Sequence, residues 1–291
     1  MTELSSRERS VLITGCSSGI GYCAAHTLHK CGYRVIASAR NMNDVMRLQQ
    51  EGLDCIQLDL DDTTSIAAAV DEVEARTGRH LYALFNNAGF GQPGAVEDLP
   101  RDVLRAQFET NVFGTLELTN RILPWMREAG EGRIIQNSSV LGFVSLAYRG
   151  AYNASKYALE GLYDTLRLEL AGSNIFPVLI EPGPITSRFR ENAFAAYQRN
   201  IDTVHSVHRE AYLATERRLE QKGPAVPFTL PPEAVVDKLL KALSSPRPKG
   251  RYYVTFPTYL FGTLKRFLTT RGLDRVLLKV SRNEQGQKPR T

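Results

Sequence analysis

The sequence contains no run of 18 or more apolar residues, and its first ten residues are polar and charged. A membrane-spanning helix, which needs about 20 apolar residues, and a secretory signal peptide are therefore not expected. Cysteine is scarce, and its four positions, 16, 23, 31 and 55, have neither metal-site nor disulfide-framework spacing. Reduced thiols of this kind predict a cytoplasmic protein.

Internal repeats are also absent, as are linkers rich in proline, glycine or serine that would separate domains. With 43% hydrophobic and 23% charged residues among 291, the composition is that of a globular protein. We expect one domain covering residues 1–291. The net charge is +5, but the part from Pro246 onward carries +9. The basic character therefore belongs to the C-terminal tail and does not indicate a nucleic-acid-binding face.

Short apolar runs alternate with longer helical patterns along the chain. The apolar runs predict strands at Ser10–Thr14, Tyr33–Ala39, Asp54–Leu58, Leu81–Phe85, Gly132–Asn137, Ile175–Glu181 and Arg251–Val254. The longer patterns predict helices at Gly19–Lys30, Thr63–Arg76, Pro100–Met126 and Ala151–Ala171. This alternation predicts an α/β fold with one doubly wound parallel sheet and helices on both faces. Residues 187–230, polar and helical in pattern, are interpreted as a substrate-covering segment.

A glycine-rich turn, Thr14-Gly15-Cys16-Ser17-Ser18-Gly19-Ile20-Gly21, joins the first strand to the first helix. Glycines allow the backbone to approach a phosphate closely, and the helix N-terminus supplies unpaired N–H groups. Such a turn can be purely structural, and its Gly-x-x-x-Gly-x-Gly spacing is not the commoner Gly-x-Gly-x-x-Gly. Its position at the start of a βαβ chain favours dinucleotide binding.

The end of the second strand bears on the choice of dinucleotide. It carries Arg40, with no carboxylate before Asp44, and an arginine suits a ribose 2′-phosphate whereas an acidic residue holds a 2′-hydroxyl. Arg40 therefore favours NADP over NAD, although an arginine at a strand end is also often solvated. Asp59 is either an adenine contact or a turn residue, and Asn86–Gly89 either floors the cofactor site or is an ordinary loop.

Tyr152 and Lys156 are four residues apart in a predicted helix and share its inward face. A neighbouring ammonium favours ionisation of a phenol, whose ordinary pKa is about 10, and such a phenol is a competent general acid or base. In isolation, the pattern is more often a buried tyrosine beside a snorkelling lysine. Asn111 faces inward in the long helix, as a structural pin or as part of a site. Ser139 ends the fifth strand, where its hydroxyl and the phenol can reach one carbonyl oxygen.

Together these segments resemble the short-chain dehydrogenase/reductase family over about residues 10–255. The residues that carry the resemblance are TGCSSGIG at 14–21, NNAG at 86–89, Asn111, Ser139, YNASK at 152–156 and EPGPIT at 181–186. The finer resemblance is to the 17β-hydroxysteroid and retinol dehydrogenase branch, and closer still to bacterial NADP-dependent aldehyde reductases. It is carried by VLITGCSSGIG, NNAGFG, ASKYALE and EPGPI.

The resemblance implies a Rossmann-like fold and a role for each site residue. Tyr152 would transfer the proton, and Lys156 would lower its pKa and bind the nicotinamide ribose. Ser139 would orient the carbonyl, and Asn111 would anchor a water-linked proton path. The implied NADP contacts are Gly15, Ser17, Ser18, Gly19, Ile20, Gly21, Arg40, Asp59, Leu60, Asn87, Ala88, Gly89, Tyr152, Lys156, Pro182, Gly183 and Thr186. It also implies a homodimer or homotetramer formed by the helices that carry Asn111 and Tyr152.

We therefore predict an NADP-dependent oxidoreductase that reduces apolar aldehydes, with a steroid or retinol dehydrogenase as the alternative. The side chains predicted to line an apolar cleft are Phe90, Phe143, Leu146, Phe189, Phe194 and Tyr197. A non-catalytic dinucleotide-sensing protein on the same fold is the alternative of another class. Such a protein would be expected to lack the serine, tyrosine or lysine, and all three are present.

Two weaker patterns remain. The histidine pairs His26/His29 and His205/His208 have no third ligand nearby, so we predict solvated helix residues and no metal site. The basic tail, residues 257–291, carries an apolar stripe at helical spacing. Such a stripe packs on its own domain or on a sister subunit, or it lies on an anionic membrane surface, here the inner face of a membrane.

Overall fold

In the computed structural model, residues 9–220, 223 and 226–284 are described. Within these residues, seven parallel strands form one sheet in the order β3-β2-β1-β4-β5-β6-β7. The strands are β1 Ser10–Ile13, β2 Arg34–Ala39, β3 Asp54–Gln57, β4 Ala83–Asn86, β5 Gly132–Asn137, β6 Ile175–Glu181 and β7 Arg251–Tyr253. All of the predicted strands are present close to their predicted bounds, and the doubly wound α/β fold is confirmed.

The connections between strands are mostly helical. The helices are α1 Gly19–Lys30, α2 Met42–Gln50, α3 Thr63–Thr77, α4 Arg101–Phe108, α5 Thr115–Ala129, α6 Gly150–Glu169, α7 Phe189–Asn200, α8 Arg209–Glu220, α9 Glu233–Ser244, α10 Phe256–Phe267 and α11 Thr270–Glu284. The sequence patterns had predicted α1, α3 and α6, but had given no helix at α2 or α9. Helices α1, α2 and α9 pack on one face of the sheet, and α3, α5 and α6 on the other. Both faces are therefore covered, as fully buried parallel strands require.

The sheet places the predicted site at one edge. Strand β1 pairs with β2 on one side and with β4 on the other, so the strand order reverses between β1 and β4. Ligands of such sheets bind in the crevice at the carboxyl ends of the strands beside this reversal. The loops after β1, β4, β5 and β6 all reach this edge, and they carry most of the predicted site residues.

The predicted helix 100–126 is interrupted. A π-helical turn, Glu109–Gly114, separates α4 from α5. A π turn contains one residue more than an α turn, so it shifts the phase of the side chains before it. For that reason Leu104 is exposed instead of lying in line with the buried Leu118. Asn111 lies within the π turn and is buried.

Residues 187–230 contain the two helices α7 and α8, as the pattern indicated. An aromatic cluster that includes Tyr197 and Tyr212 joins these helices. The Asp98 carboxylate, from the segment before α4, accepts hydrogen bonds from the Tyr212 hydroxyl and from Ser206 Oγ. This segment is therefore anchored to the main body of the fold next to the carboxyl edge of the sheet.

The tail helices α10 and α11 pack on the loop that follows β5. Their cluster contains Phe261 and Leu277 from the tail and Leu141, Val144 and Leu146 from the loop. One apolar face of the tail is thus used by the fold itself. The helices within the described residues include none that is long and apolar enough to cross a membrane. Residues 285–291 of the predicted tail lie outside the described residues.

Candidate active site

The turn between β1 and α1 requires glycine at two positions. Gly15 has φ +72°, in the left-handed region, and a Cβ there would lie 2.8 Å from Ala88 Cα. A Cβ on Gly21 would lie 2.2 Å from the Gly15 carbonyl oxygen. The first turn of α1 contains no acidic side chain, and its N-cap residue, Ser18, makes no side-chain capping bond. This backbone cradle at the positive end of a helix fits the pyrophosphate of a dinucleotide.

Thr14 and Asn87 tie the ends of β1 and β4 together beneath this turn. Thr14 Oγ1 accepts from the backbone N–H groups of Asn87 and Ala88, both at 2.9 Å. Asn87 Nδ2 donates to the carbonyl oxygens of Thr14 at 2.9 Å and Gly15 at 3.2 Å. Its Oδ1 accepts from Asn137 Nδ2 at 3.0 Å. The Asn87 side chain therefore holds the turn in shape, a role that the sequence pattern did not predict.

Two arginines lie near the turn. Arg40 follows β2 and is exposed, and its guanidinium has no partner among the residues that the structure describes. Arg47 on α2 donates from Nη2 to the Ser17 carbonyl oxygen at 2.8 Å and to Asp44 Oδ1 at 3.1 Å. The role of Arg47 was not predicted, because the sequence pattern indicated no helix at α2. Arg47 thus positions the turn, whereas the Arg40 guanidinium is accessible.

Asp59 and Leu60 follow β3. Asp59 Oδ1 accepts from the Asp61 N–H at 3.1 Å, so the turn interpretation of this aspartate is present in the structure. An adenine contact by Asp59 stays a prediction. Leu60 is buried in the core cluster beneath α5, and its carbonyl oxygen lies against Gly114. The Leu60 side chain therefore contributes to packing.

Ser139 and Tyr152 meet at the end of β5. Ser139 Oγ accepts from the Leu141 N–H at 3.1 Å, and the Ser139 hydroxyl lies close enough to the Tyr152 phenol to act on its pKa. Burial raises the pKa of Tyr152 to about 12, while the nearby Ser139 hydroxyl and the charge of Arg149 partly oppose this rise. The net shift is opposite to the predicted fall, because burial outweighs the favourable charges. At neutral pH the phenol is therefore protonated and able to donate.

Lys156 lies one turn further along α6 and is only 5% exposed. Its Nζ donates to the Asn137 carbonyl oxygen at 2.8 Å and lies 5.7 Å from the centroid of the Tyr152 ring. Burial lowers the pKa of Lys156 to about 8, and the Glu160 carboxylate opposes this fall. The amine is thus mostly charged at pH 7 and lies beside the phenol, as the four-residue spacing predicted.

Asn111 is saturated by hydrogen bonds to the protein. Its Oδ1 accepts from the Phe90 N–H at 3.1 Å, and its Nδ2 donates to the Phe90 carbonyl oxygen at 3.0 Å and to Ser155 Oγ at 3.1 Å. Ser155 lies between Tyr152 and Lys156 on α6. Asn111 therefore pins the loop after β4 to the helix that carries the site, and its part in a proton path stays a prediction.

The segment after β6 runs along the same edge. The Pro182 carbonyl oxygen accepts from the Val140 N–H at 2.9 Å, next to Ser139. A Cβ on Gly183 would lie 2.1 Å from a threonine hydroxyl before α10, so only glycine fits there. Thr186 is exposed and immediately precedes residues 187–230. The structure thus brings this predicted cofactor segment alongside the serine.

An ion network that no sequence pattern predicted lies behind the site. Arg251 on β7 contacts the carboxylates of Glu160, Glu181 and Asp164. Glu160 also accepts a hydrogen bond from Ser138 Oγ. Glu181 is fully buried, and burial and the like charge of Glu160 raise its pKa although Arg251 opposes the rise. These residues come from four distant segments, so no local pattern reveals the network.

The predicted apolar lining is only partly correct. The Phe189 ring lies edge-on to the Tyr152 ring at a centroid distance of 5.2 Å and is 39% exposed. In contrast, Tyr197 is 1% exposed, packs on Tyr212 and donates to Glu216 Oε1 at 3.0 Å. The prediction that Tyr197 lines the cleft is therefore wrong, because the ring belongs to the core between α7 and α8. Phe189 is the aromatic side chain that covers the phenol.

His205 and His208 precede α8, and each contacts a carboxylate. His205 Nδ1 lies 2.7 Å from Asp202 Oδ2, and His208 pairs with Glu97. Among the described residues, no group of three or more His, Cys, Asp or Glu side chains is arranged to hold a metal ion.

The sheet edge, with its glycine cradle and its serine, tyrosine and lysine, defines an oxidoreductase of the Rossmann type. The family described as short chain dehydrogenase matches residues 9–198, and the chain belongs to this family. The motifs in the sequence had predicted this family, and the match confirms the prediction.

Several similar proteins are also named as oxidoreductases or dehydrogenases. An uncharacterized oxidoreductase of Escherichia coli K12, YbbO, is 45% identical over 270 residues, which cover 93% of this chain and 94% of that protein. Human 17-beta-hydroxysteroid dehydrogenase type 1 is 34% identical over 260 residues, covering 84% of this chain and 77% of that protein. The crystal structure of a short-chain dehydrogenase from Streptomyces avermitilis is similar with a TM-score of 0.75 and 30% identity. That match covers 94% of this chain and 98% of the other.

Proposed function

We propose that this protein is an NADPH-dependent carbonyl reductase that acts on apolar aldehydes and catalyses the reverse alcohol oxidation. The observation that carries the proposal is that the Ser139 hydroxyl and the Lys156 ammonium both lie next to the Tyr152 phenol. These groups supply what carbonyl reduction needs from a protein: a donor that holds the oxygen, an acid that protonates it, and a positive charge for the resulting phenolate.

The proposed roles of Tyr152 and Lys156 follow from their pKa values. Tyr152, with a pKa of about 12, is protonated at neutral pH and donates to the carbonyl oxygen that Ser139 holds. When bound, NADPH supplies the hydride that completes the alcohol. The Lys156 ammonium, fixed by Asn137, stabilises the phenolate and contacts the nicotinamide ribose. Asn111 keeps α6 in register with the loop after β4 and is the proposed start of the proton path.

The preference for NADPH is proposed from Arg40. Its exposed guanidinium follows β2, where a 2′-phosphate would be recognised. Between the end of β2 and Asp44 the chain carries no carboxylate that could instead hold a 2′-hydroxyl. Ser17, whose backbone Arg47 holds, is the second proposed 2′-phosphate contact. The remaining proposed contacts are Gly15, Ser18, Gly19 and Gly21 with the pyrophosphate, Asp59 and Leu60 with the adenine, and Ile20, Asn87, Ala88, Gly89, Pro182, Gly183 and Thr186 around the nicotinamide.

An apolar substrate is proposed because Phe189 covers the catalytic phenol. Its ring is 39% exposed and lies against Gly91, so a substrate must pass beside an aromatic face to reach Tyr152. The similarity to human 17-beta-hydroxysteroid dehydrogenase type 1 favours a steroid substrate as the second candidate. The apolar Phe189 ring is compatible with both aldehyde and steroid substrates.

A substrate panel tests the proposal. Long-chain aldehydes, retinal and ketosteroids are compared with NADPH and with NADH by kcat/KM at neutral pH. We expect the highest values for long-chain aldehydes with NADPH. Faster turnover of a ketosteroid or of retinal would replace the aldehyde proposal by the second candidate. Absence of turnover with every carbonyl and both cofactors would overturn the enzyme proposal.

We also propose that residues 1–291 form one catalytic domain, which works in the cytoplasm as a homodimer or homotetramer. Exposed apolar side chains on the elements that carry Asn111 and Tyr152 support the assembly: Phe113 is 51% exposed, Tyr157 39% and Leu168 73%. Light scattering coupled to gel filtration measures the subunit number. The basic and apolar surface of the tail supports a peripheral contact with the inner face of a membrane.

A further inference from the structure

A basic groove of about 1010 Å³ lies between α9, β7 and α10. Six lysine and arginine side chains line it, and no aspartate or glutamate does. Arg251 is held by the carboxylates behind the active site. The other five form no ion pair within the described part of the chain, and they are Lys238, Lys241, Arg247, Lys249 and Arg266. Like charges gathered around one concavity repel each other, so the groove favours an anion.

Exposed apolar side chains lie next to these cations. Phe267, itself part of the groove lining, is 82% exposed. Phe256, Tyr259 and Leu260, spaced three and four residues apart on α10, are 57%, 50% and 39% exposed. Phe261 on the opposite side of the helix is buried against the loop after β5. Helix α10 thus has one apolar face used by the fold and a second apolar face open to the solvent.

We infer that the groove binds the phosphate headgroups of anionic lipids while the open face of α10 enters the membrane interface. The inference rests on the proposed peripheral contact, and it adds the headgroup chemistry and the residues that recognise it. Basic side chains beside exposed phenylalanine and leucine are the combination that holds a helix at an anionic bilayer surface. A duplex nucleic acid would satisfy the charges but would leave the apolar side chains of α10 in water.

The docked orientation would serve the proposed reaction. Helix α10 packs through Phe261 on the loop that begins with Ser139, so the membrane-facing helix and the catalytic serine are joined by one short segment. Apolar aldehydes partition into the bilayer. Docking therefore brings the site close to the phase in which such substrates are concentrated.

The test is sedimentation of the full chain with vesicles, without cofactor or substrate. Vesicles of phosphatidylcholine containing phosphatidylglycerol are compared with vesicles of phosphatidylcholine alone, at low and high salt. We expect binding to the phosphatidylglycerol vesicles only, weakened by salt. The double variant Lys241→Glu/Arg266→Glu should bind at least about thirtyfold less, because each of the two basic residues at an anionic surface contributes about 1 kcal/mol. Phe267→Ser should bind about tenfold less at unchanged net charge.

The matched control is Arg101→Glu/Arg105→Glu, which makes the same charge change on α4, away from the groove. It should bind the vesicles like the unmodified protein. Equal binding to phosphatidylcholine alone, equal loss in the control, or unaltered binding by the groove variant would each overturn the inference. So would duplex DNA that binds the groove as tightly as the vesicles do, irrespective of Phe267.

The result is separable from the proposed reductase activity. NADPH-dependent reduction of butanal, which is water-soluble, is measured for every variant as a check of folding and should match the unmodified protein. If neither butanal nor any carbonyl of the substrate panel is reduced but vesicles still bind through the groove, the reductase proposal fails and the lipid site stands. If butanal is reduced and no vesicle binds, the lipid site fails alone.

Discussion

Lys156 Nζ lies 2.8 Å from the Asn137 carbonyl oxygen, whereas it lies 5.7 Å from the centroid of the Tyr152 ring. The ammonium is therefore fixed by the end of β5 and not by the phenol, next to which the Ser139 hydroxyl lies. Asn137 and Ser139 leave the same strand two residues apart. The end of β5 thus positions both the Asn137 carbonyl oxygen, which holds Lys156, and the Ser139 hydroxyl, which lies next to Tyr152. The backbone sets the spacing between these two groups.

Replacement of Tyr152 by phenylalanine tests the proton donor. The change removes the hydroxyl and keeps the ring beside Phe189, so we expect turnover to fall by about 10²- to 10⁴-fold. NADPH affinity, measured by fluorescence titration, should be nearly unaffected, because the cradle at the glycine turn is intact. A variant that keeps a tenth of the activity would contradict the assignment.

The pH dependence of carbonyl reduction should follow Lys156. Its pKa of about 8 lies below that of Tyr152, about 12, so kcat/KM should decrease as pH rises through 8 while the phenol stays protonated. Glu160→Gln removes the carboxylate that holds the lysine pKa up, so the descending limb should move to lower pH. Glu128→Gln, on the exposed side of α5, is the control and should leave the profile in place. Identical profiles for all three proteins would refute the coupling.

The role of Arg40 is tested with both cofactors. Arg40→Ala should reduce kcat/KM for NADPH by about 10- to 100-fold, since a hydrogen bond to a charged group contributes about 1.5–3 kcal/mol. The value for NADH should change by about twofold or less. Arg101→Ala, an exposed arginine on α4, should affect neither cofactor. Equal losses with NADPH and NADH would exclude the 2′-phosphate contact.

Arg251→Met tests the ion network behind the site. The substitution leaves Glu160 and Glu181 buried without their cation, which should lower the free energy of unfolding by about 3–5 kcal/mol at neutral pH. Buried carboxylates without a cation have raised pKa values and take up protons on acidification, so the deficit should shrink as pH falls. Urea unfolding at several pH values measures it. Arg121→Met, which breaks a half-exposed pair with Glu117, should cost less than about 1 kcal/mol.

A comparable cost for the two variants would mean that the network is unimportant for stability. A deficit in Arg251→Met that grows on acidification would contradict the assigned charges.

Much of the fold could be predicted because its signals are local. Strands β4 and β5 are buried on both faces, so they appear in the sequence as short apolar runs between helical patterns. The π turn around Asn111 could not be predicted, since the side chains on either side of it continue an α-helical spacing in the sequence. Exposed Leu104 reveals the phase shift only in three dimensions.

In the site, as in the fold, contacts within one element could be predicted from the sequence, whereas contacts between distant elements could not. Tyr152 and Lys156 lie on one helix, so their spacing alone brings them together. The contacts of Asn87 and Arg251 join elements far apart in sequence, and only the sheet topology brings them into range. The direction of the Tyr152 pKa shift also could not be predicted from the sequence, because the depth of burial that raises this pKa is a property of the packed structure.

Selection for heat resistance alone would work against this enzyme at one position. Lys156 is 5% exposed, and burial of its ammonium group, which lowers the pKa to about 8, costs the fold stability that an apolar methionine of similar length would recover. A library screened by melting temperature should therefore accumulate Lys156→Met clones that outlast their parent and reduce nothing. Directed evolution of this scaffold needs a turnover assay in every round.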